Sequence, residues 1–353
     1  MSLIRLPALT DVHVHLREPG EIHKEDFASG TAAALAGGVT TVLAMPNTKP
    51  PLIDEAAFLL ARQRAEATAR CDVGVYVGAS ADNAEAAARL ADQAIALKIY
   101  LDATYGPLRV NDWLPLLAHF QAWPADRPIV VHAEELSLPM AVGFAWAFGR
   151  RLHVAHVSRG AEILYIKAAK EKGAPITCEV TPHHLFLDDS VLPRLGAQGI
   201  MRPPLATAWD RETLWANLDV VDCIATDHAP HTLEEKARPE PPPGVPGLET
   251  TLPLMLTAMG EGRLTLERLV ELTHTNPNRI FGVPQQADTY IEVDPYDRHI
   301  IGDAGFQTRV DWSPFAGYPV RGRLQRVVLR GATAFEHGQV LAQPGTGRFI
   351  TPG

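Results

Sequence analysis

Short β-branched and apolar runs alternate along the first two thirds of the chain with helical stretches rich in Ala, Leu and Glu. Eight of these runs have the length and composition of β-strands. They occupy residues 9–16, 39–45, 72–78, 97–101, 129–132, 152–157, 176–180 and 222–226. The helical stretches between them occupy residues 24–36, 55–69, 84–94, 112–123, 134–148, 161–172 and 210–218. This eightfold alternation predicts an α/β fold, a parallel (β/α)8 barrel of the TIM type.

A doubly wound open sheet would also alternate strands and helices, but it normally carries a glycine-rich turn after its first strand. This chain has His-Val-His at residues 13–15 instead. After residue 227 a Pro/Gly-rich loop and two helices, at 248–259 and 264–272, lead into short strands near the end. We therefore predict a barrel domain over residues 9–284. A small β domain would form mainly from residues 285–353, joined by residues 1–8.

Composition and charge exclude several classes of function. The 353 residues are 46% hydrophobic and carry a formal net charge of −9, with no basic cluster to favour nucleic acid. No apolar run reaches the ~20 residues that span a bilayer, and the first residues lack the apolar stretch of a signal peptide. Cys71, Cys178 and Cys223 show no metal-binding spacing. We expect a cytoplasmic protein with reduced thiols and neither membrane nor nucleic-acid partners.

The first predicted strand carries an unusual polar face. It reads Asp11-Val-His-Val-His-Leu-Arg17, so that Val12, Val14 and Leu16 alternate with four polar residues. In a barrel, the apolar side chains would pack against the helices and the polar ones would point inward. Such a row of buried polar groups is costly unless water or a metal satisfies it. A lone His-x-His pair is weak evidence, but its place at the end of a first barrel strand favours metal binding.

Polar residues also stand where the other predicted strands end. They are Asn47 after the second strand, Lys98 in the fourth, His132 and His156 near the ends of the fifth and sixth, Glu179 in the seventh and Asp227 after the eighth. The carboxyl ends of the strands form the active-site mouth of such a barrel, so these side chains should converge there. Singly, each is more often a hydrogen-bonded core residue or an exposed acid. Together with the His-x-His pair they predict a site for two divalent cations.

Five segments carry these motifs: Asp11-Val-His-Val-His-Leu-Arg-Glu-Pro-Gly20, Ala44-Met-Pro-Asn-Thr48, Leu97-Lys-Ile-Tyr100, Cys178-Glu-Val-Thr-Pro-His-His184 and Thr226-Asp-His-Ala-Pro-His231. Together they resemble dihydroorotase, of the amidohydrolase superfamily, over nearly the whole chain. Residues 23–31 and 243–249 resemble most the dihydroorotase domain of the multifunctional pyrimidine-synthesis protein of animals.

The resemblance implies two Zn²⁺ ions per chain, bridged by Lys98 after CO₂ has converted it to a carbamate. The implied ligands are His13, His15, Lys98 and Asp227 for one zinc, and Lys98, His132 and His156 for the other. Three residues would bind the α-carboxylate of the substrate: Arg17, Asn47 and His231. Further substrate contacts would come from Thr104, Tyr105, Arg202 and Pro243. Asp227 would also be the catalytic general acid and base.

Two positions depart from the animal pattern. Ala155 stands where the animal domain has a cysteine of a third metal site. Glu179 is therefore left either as a third-metal candidate or as a residue behind the zinc ligands. In the lid loop, Tyr105 follows Thr104 where the animal pattern has Phe. The tyrosine keeps the aromatic ring and adds a hydroxyl.

The implied activity is the reversible cyclisation of N-carbamoyl-L-aspartate to L-dihydroorotate in de novo pyrimidine biosynthesis. The implied partners are a second copy, in a homodimer, and aspartate transcarbamoylase and carbamoyl-phosphate synthetase, by association or fusion. One alternative is another cyclic amidohydrolase, such as a dihydropyrimidinase, hydantoinase or allantoinase, which does not need the carboxylate-binding residues. The other is a non-catalytic dihydroorotase-like scaffold of aspartate transcarbamoylase, which would have lost metal ligands that are all present here.

Overall fold

The computed structural model describes residues 3–353. Its strands are β1 (Ile4–Leu6), β2 (Leu9–Val14), β3 (Val39–Ala44), β4 (Asp72–Val75), β5 (Val77–Gly78), β6 (Leu97–Tyr100), β7 (Ile129–His132), β8 (Leu152–Val154), β9 (Ile176–Val180), β10 (Cys223–Ile224), β11 (Tyr290–Ile300), β12 (Pro319–Leu329), β13 (Ala332–Glu336) and β14 (Gln339–Val340).

The helices are α1 (Phe27–Ala36), α2 (Glu55–Thr68), α3 (Ala84–Ala88), α4 (Trp113–Ala122), α5 (Ser137–Phe148), α6 (Gly160–Glu171), α7 (Pro182–Phe186), α8 (Leu192–Leu195), α9 (Ala208–Ala216), α10 (Leu233–Lys236), α11 (Thr251–Gly260), α12 (Leu266–Val270) and α13 (Asn276–Phe281). Short 3₁₀ turns lie at Asp189–Val191 and Gly196–Gly199, and a π-helical turn at Glu271–Thr275 follows α12. Within the described residues, no helix is both long and apolar enough to cross a membrane.

The predicted parallel barrel is confirmed. Strands β2, β3 and β4 form a three-stranded parallel sheet, and β5 to β10 form a six-stranded one. The third predicted strand therefore divides at Tyr76, with β4 paired to β3 and β5 paired to β6. At the other seam, Val14 bridges His228, and the His15 amide donates to the His228 carbonyl at 2.8 Å. The chain thus closes eight strand positions into a barrel, with helices outside.

Strict alternation of faces holds in β6 but not in β2. In β6, Leu97 and Ile99 belong to the large apolar cluster that includes helix residues, as predicted. In β2, the pairing with β3 shifts register between Asp11 and Val14 because the strand contains a bulge. Val12 consequently lies in a different apolar cluster from Val14. The prediction that Val12, Val14 and Leu16 share one face is therefore wrong.

The first helix begins three residues later than predicted. The Asp26 carboxylate accepts a hydrogen bond from the Ser29 amide at 2.7 Å, which is an N-cap, so α1 starts at Phe27. Lys24, predicted as the first helical residue, lies in the loop before this cap, and its side chain is buried. Its ammonium is therefore available for contacts with other loops.

The C-terminal segment forms an antiparallel sheet with the order β1-β11-β12-β13-β14. Pairing of Ile4–Leu6 with β11 ties the start of the described chain to this sheet. Strand β13 was not predicted, because its sequence lies in a tight hairpin between β12 and β14. The predicted domain boundaries stay a prediction, and residues 1 and 2 of the predicted N-terminal piece lie outside the described residues.

Asp72 fastens the C-terminal segment to the barrel. Its side chain is 3% exposed and accepts hydrogen bonds from Arg330 Nη1 at 2.7 and 2.8 Å, from Gln286 Nε2 at 2.7 Å and from the Arg348 amide at 2.9 Å. Removing one partner of a buried ion pair leaves the other charge uncompensated.

We predict that Asp72→Asn lowers the free energy of unfolding by about 3 kcal/mol, because Arg330 loses its anionic partner. Urea unfolding followed by circular dichroism measures the change. The matched control is Glu66→Gln, which removes an exposed ion pair with Arg62 and should cost less than about 0.5 kcal/mol. Equal stabilities of the two variants would contradict the fastening role.

Candidate active site

The carboxyl ends of the barrel strands surround a narrow cavity of about 340 Å³. Its walls are formed by His13, His15, Arg17, Asn47, Tyr100, Thr104, Tyr105, His132, His156, Arg202, Asp227, Ala229, Pro243 and Gly244. The three other residues singled out in the sequence lie directly behind this wall: Lys98, Glu179 and His231. The folded barrel thus brings together side chains that are up to 230 residues apart in sequence.

Two histidines of β2 and its extension point at one carboxylate. His15 Nε2 lies 3.0 Å from Asp227 Oδ1, and His13 Nε2 lies 3.4 Å from the same oxygen. One donor atom each from His13, His156 and Asp227 lies within 4.8 Å of the others, and all three residues are buried. Such a set of imidazole nitrogens and one carboxylate suits a divalent transition metal such as zinc.

A second pair of histidines lies beside the first. His132 Nδ1 is 2.9 Å from His156 Nε2, and the other His132 nitrogen is 3.0 Å from Glu134 Oε1. His156 Nδ1 is buried and has no hydrogen-bond partner within residues 3–353. An imidazole nitrogen without a partner is available to a metal ion. The donor set present therefore fits a bound metal.

The backbone is strained at two of these positions. His156 has φ = 36° and Asp227 has φ = 46°, in the left-handed region that non-glycine residues seldom adopt. The turn at His156 also ends β8 at Val154, three residues before the predicted end. Strain at a barrel mouth persists only where the surroundings impose it, and it typically aims a side chain.

Protonation states follow from burial and from the neighbouring charges. Burial lowers the pKa of His156 well below its ordinary value, and His132 and His13 lower it further. Burial also lowers the pKa of His15, to about 4, although its contact with Asp227 acts in the opposite direction. For Asp227, burial alone would raise the pKa, but His13 and His15 outweigh it and hold the pKa below the ordinary value. Neutral imidazoles and an ionised carboxylate are the forms that bind metal.

Lys98 is buried without a partner. Its side chain is 0% exposed, and Nζ forms no hydrogen bond with residues 3–353. Burial lowers the pKa of Lys98 to about 8, while Glu179 and Asp227 act to raise it. A larger fraction of this lysine than of an ordinary one is therefore a neutral, nucleophilic amine near neutral pH, although the ammonium form still predominates.

Glu179 connects three strands behind the cavity. One carboxylate oxygen accepts from His13 Nδ1 at 2.5 Å and from the His156 amide at 3.2 Å, and the other contacts His153 Nε2 at 3.1 Å. His13 is thus held with Nε2 toward the cavity. His153, which is 0% exposed, was not singled out in the sequence, nor was Glu134. Glu134 could have been found from its position two residues after His132, because side chains two apart in an extended strand lie on the same face.

A cationic pocket lies beside the metal-binding side chains. Arg17 is 3% exposed, and its Nη2 lies 3.1 Å from His231 Nε2. Its Nε donates to the Pro230 carbonyl at 3.1 Å. Asn47 Oδ1 lies 2.7 Å from His15 Nδ1, which links this pocket to the histidine cluster. His231 Nε2 also lies 3.1 Å from the Pro243 carbonyl, which brings the Pro/Gly-rich loop to the pocket.

Three residues proposed to contact substrate lie at the cavity entrance. Thr104 and Tyr105 belong to the loop between β6 and α4 and are partly buried. Arg202 is exposed and faces the cavity from the opposite loop. Asn47 Nδ2 donates to the Tyr105 carbonyl at 3.0 Å, so the loop is in contact with the pocket. The entrance is therefore narrow in this structure.

A closed parallel (β/α)8 barrel with imidazoles and an ionised aspartate buried at its mouth is the architecture of a metal-dependent enzyme. Comparison with known sequences agrees: the chain belongs to the amidohydrolase family, whose profile matches residues 4–288.

The chain is similar to segments of two multifunctional proteins. It is 52% identical over 350 residues to the multifunctional protein CAD of Squalus acanthias and 50% identical over 348 residues to the multifunctional protein pyr1-3 of Dictyostelium discoideum. These matches cover 99% and 98% of this chain but 16% of each relative. A dihydroorotase of Pyrococcus furiosus is 33% identical over 99% of this chain and 85% of its own length.

Solved structures of similar fold include catalysts and a non-catalyst. An L-hydantoinase (dihydropyrimidinase) of Arthrobacter aurescens superposes with a TM-score of 0.93 at 27% identity, over 99% of this chain and 89% of that one. The inactive dihydroorotase-like domain of a Chaetomium thermophilum CAD-like multifunctional protein superposes with a TM-score of 0.86 at 28% identity. This match covers 99% of this chain and 100% of that domain's chain. Fold alone therefore does not decide whether a member of this group is active.

We predict that Glu179→Gln weakens metal binding at least about tenfold, because an amide cannot accept hydrogen bonds from both histidines through two oxygens. Competition with a chromogenic chelator measures the affinity, and elemental analysis gives the metal content. Glu267→Gln, an exposed change on α12, is the control. Unaltered metal affinity in Glu179→Gln would show that His13 is oriented without this carboxylate.

Proposed function

We propose that this chain is a dihydroorotase, which interconverts N-carbamoyl-L-aspartate and L-dihydroorotate. The observation that carries the proposal is the buried Arg17 guanidinium, which forms no ion pair with a carboxylate within residues 3–353, although the charges of Glu21 and Asp227 act on it from farther away. Within residues 3–353, the hydrogen-bond partners of Arg17 are a backbone carbonyl and an imidazole, and neither is negatively charged. A buried cation of this kind is stable when a bound anion completes it.

A carboxylate is the anion that matches this pocket. Guanidinium groups bind carboxylates through two parallel hydrogen bonds, and the Asn47 and His231 side chains can add directional donors. Both proposed substrates carry an α-carboxylate on the carbon bonded to the inner ureido nitrogen, and the bond that forms or breaks joins the outer ureido nitrogen to the side-chain carbonyl carbon, two bonds from that carbon. Arg17 would hold that carboxylate, and the adjacent histidine cluster would then face the bond that forms or breaks.

Asp227 is positioned to move the proton of the reaction. Its ionised carboxylate lies beside His13 and His15 and faces the cavity. In ring closure, it would accept the proton of the outer ureido nitrogen as that nitrogen bonds to the side-chain carboxylate carbon. It would pass this proton to the departing oxygen, which leaves as water after taking one further proton from solvent. In ring opening, the same carboxyl group would return the proton to the ring nitrogen. Its lowered pKa keeps it ionised, as a base, at neutral pH.

The residues that would hold metal are His13, His15, His132, His156, Asp227 and carbamylated Lys98. Two zinc ions bound there would supply positive charge that polarises the carboxylate or amide carbonyl under attack. Glu179 would orient His13 behind them rather than bind a third ion, because both its oxygens already have histidine or amide partners. The protein would also exclude water by closing the narrow entrance.

Lys98 would become an anion by reaction with CO₂. The neutral Nζ attacks the carbon of CO₂, an N–C bond forms, one N–H proton leaves, and a negatively charged carbamate results. An ammonium beside two divalent cations at ~4 Å would be repelled by several kcal/mol at an effective dielectric of ~20. A carbamate would replace this repulsion with a negative charge and two oxygens that could serve as metal ligands. The missing partner of Nζ supports this proposal.

The two alternatives make different use of the same fold. A hydantoinase or dihydropyrimidinase acts on rings without a carboxylate, and Arg17 would then lack an anionic partner. A non-catalytic scaffold would not need the strained, neutral histidines or the buried lysine. Relatives named dihydroorotase, at 33–36% identity over at least 94% of this chain, favour the first proposal.

The larger context is also a proposal. Because the chain spans 16% of the two multifunctional relatives, we propose that it works beside aspartate transcarbamoylase and carbamoyl-phosphate synthetase, fused to them or associated with them. The homodimer stays a prediction from the resemblance, and the cytoplasmic location stays a prediction from the composition and the cysteine pattern.

The test is an assay of purified, zinc-loaded protein with L-dihydroorotate, dihydrouracil, hydantoin and allantoin. We expect ring opening of dihydroorotate, and ring closure of N-carbamoyl-L-aspartate that is faster at lower pH because closure consumes a proton. Preference for an uncharged ring would support a hydantoinase-like enzyme. Metal-loaded protein without turnover of any ring would support the scaffold.

We predict that Arg17→Lys lowers kcat/KM for dihydroorotate by about a hundredfold, because an ammonium cannot form the two-pronged contact with a carboxylate. Zinc content should not change, which elemental analysis checks. The control is Arg62→Lys, on the exposed face of α2. Near-parental kcat/KM in Arg17→Lys would remove Arg17 from the substrate site.

We predict that Lys98→Ala loses zinc and activity together, and that added short carboxylic acids restore part of both by occupying the vacated space. Growth or equilibration with isotopically labelled bicarbonate should place a carbamate signal in the NMR spectrum of the parent but not of the variant. Lys172→Ala, at an exposed lysine, is the control. A plain lysine in fully active, zinc-loaded protein would refute the carbamate.

A further inference from the structure

Tyr105 is held in place by its hydroxyl group. The hydroxyl donates to Glu21 Oε1 at 2.6 Å and accepts from Lys24 Nζ at 2.7 Å. Lys24 Nζ also donates to Glu21 Oε1 at 2.8 Å, and Lys49 Nζ donates to the same oxygen at 3.0 Å. These contacts join the loop after β6 to the loop after β2, which lie 84 positions apart in the chain.

The charged pair that holds this hydroxyl is buried. Lys24 is 1% exposed and Glu21 is 6% exposed. Burying two ions costs free energy that their attraction does not always offset. Neither residue is part of a helix or strand, because α1 begins only at Phe27, and neither lines the cavity. Lys24 Nζ also has Glu235 Oε1 at 3.4 Å, so this ammonium lies between two carboxylates and the Tyr105 hydroxyl. Of these contacts, the one with Tyr105 joins the ion pair to the loop after β6.

Tyr105 in turn contacts every side chain proposed to bind the α-carboxylate. Its carbonyl accepts from Asn47 Nδ2 at 3.0 Å. Its ring packs edge-on against the His231 ring with centroids 4.8 Å apart, and the Arg17 guanidinium carbon lies 5.2 Å from the ring centroid. A displacement of Tyr105 would therefore loosen the whole carboxylate pocket.

We propose that Glu21 and Lys24 are positioning residues that keep the entrance loop closed through the hydroxyl of Tyr105. We call the three residues the hydroxyl latch. This inference rests on the proposed function, because it assigns the latch to the carboxylate-binding half of that site. The latch keeps the binding-competent conformation populated in the free protein, so less substrate binding energy is needed to order the loop.

The kinetic test is Tyr105→Phe, which keeps the ring and removes the hydroxyl. When the competent conformation becomes the minor one, the apparent affinity falls in proportion to its population. We expect KM for dihydroorotate to rise about tenfold, the scale of one hydrogen bond to a charged group, with kcat within about twofold. Tyr296→Phe, at an exposed tyrosine of β11, is the matched control.

A double-mutant cycle separates the latch from a direct contact of the hydroxyl with substrate. Glu21→Gln should also raise KM, although Glu21 does not line the cavity. The double variant Glu21→Gln/Tyr105→Phe should raise KM by less than the product of the two single effects, because both changes break the same hydrogen bond between Glu21 and Tyr105. Additive effects on KM would overturn the latch, and so would a fall in kcat at unchanged KM.

Limited trypsin digestion tests the latch without enzymatic activity. Arg109 is an exposed residue of the same loop, but the bond that trypsin would cleave leads to the buried Val110, whose amide donates to the Tyr100 carbonyl at 2.8 Å. Opening of the loop should therefore speed cleavage at this bond. We expect cleavage there to be about tenfold faster in Tyr105→Phe and Glu21→Gln, in line with the same shift in population. Equal cleavage rates in parent and variants would overturn the latch. An inactive parent would overturn the proposed function alone, and the digestion would still decide the latch.

Discussion

Two buried cations beside the histidine cluster, neither of them in contact with a carboxylate, impose the main constraint on this site. Lys98 is fully buried with no hydrogen-bond partner in the described chain, and Arg17 has only uncharged partners there. An uncompensated buried charge costs several kcal/mol, so a stable fold requires that something else complete these groups. A carbamate on Lys98 would remove one cation by reversing its charge. A substrate carboxylate would pair with the other cation, Arg17. Substrate binding would then neutralise a buried charge that the protein itself leaves without an ion pair.

The two buried acids serve the histidines rather than these cations. Glu179 lies behind His13 and His153, and Asp227 lies in front of His13 and His15. His13 is held between the two carboxylates, so its ring orientation is fixed and its Nε2 faces the cavity without further reorganisation. The left-handed backbone at Asp227 fits this arrangement, because it turns the carboxylate back over the strand end. Strain is thus placed where it orients a reacting group.

The eight strands and the chemistry of their ends were predictable from the sequence. Parallel strands in a barrel are short, apolar and separated by helices, so their order along the chain fixes their neighbours. Polar residues at the strand ends, such as His132 and Asp227, must then meet at one rim. The bulge in β2 and the division at Tyr76 were not predictable, because both change pairing without changing the apolar pattern. The left-handed turn at His156 was not predictable either, because the residue there is not a glycine and nothing in the sequence indicates a positive φ.

Contacts between loops are the second feature of the structure that could not be predicted from the sequence. Glu21 and Tyr105 are 84 positions apart, and nothing in either segment indicates the other, because loop paths depend on the bends of the whole backbone. Yet each segment departs locally from a simple expectation. Lys24 continues a helical pattern but is excluded from α1 by the Asp26 cap, and Tyr105 adds a hydroxyl to an otherwise apolar ring. Once both segments fold over the barrel mouth, an acid, an ammonium and a phenol meet. On the proposed function, the specificity of the carboxylate pocket would then depend on Glu21 and Lys24, which do not line the cavity.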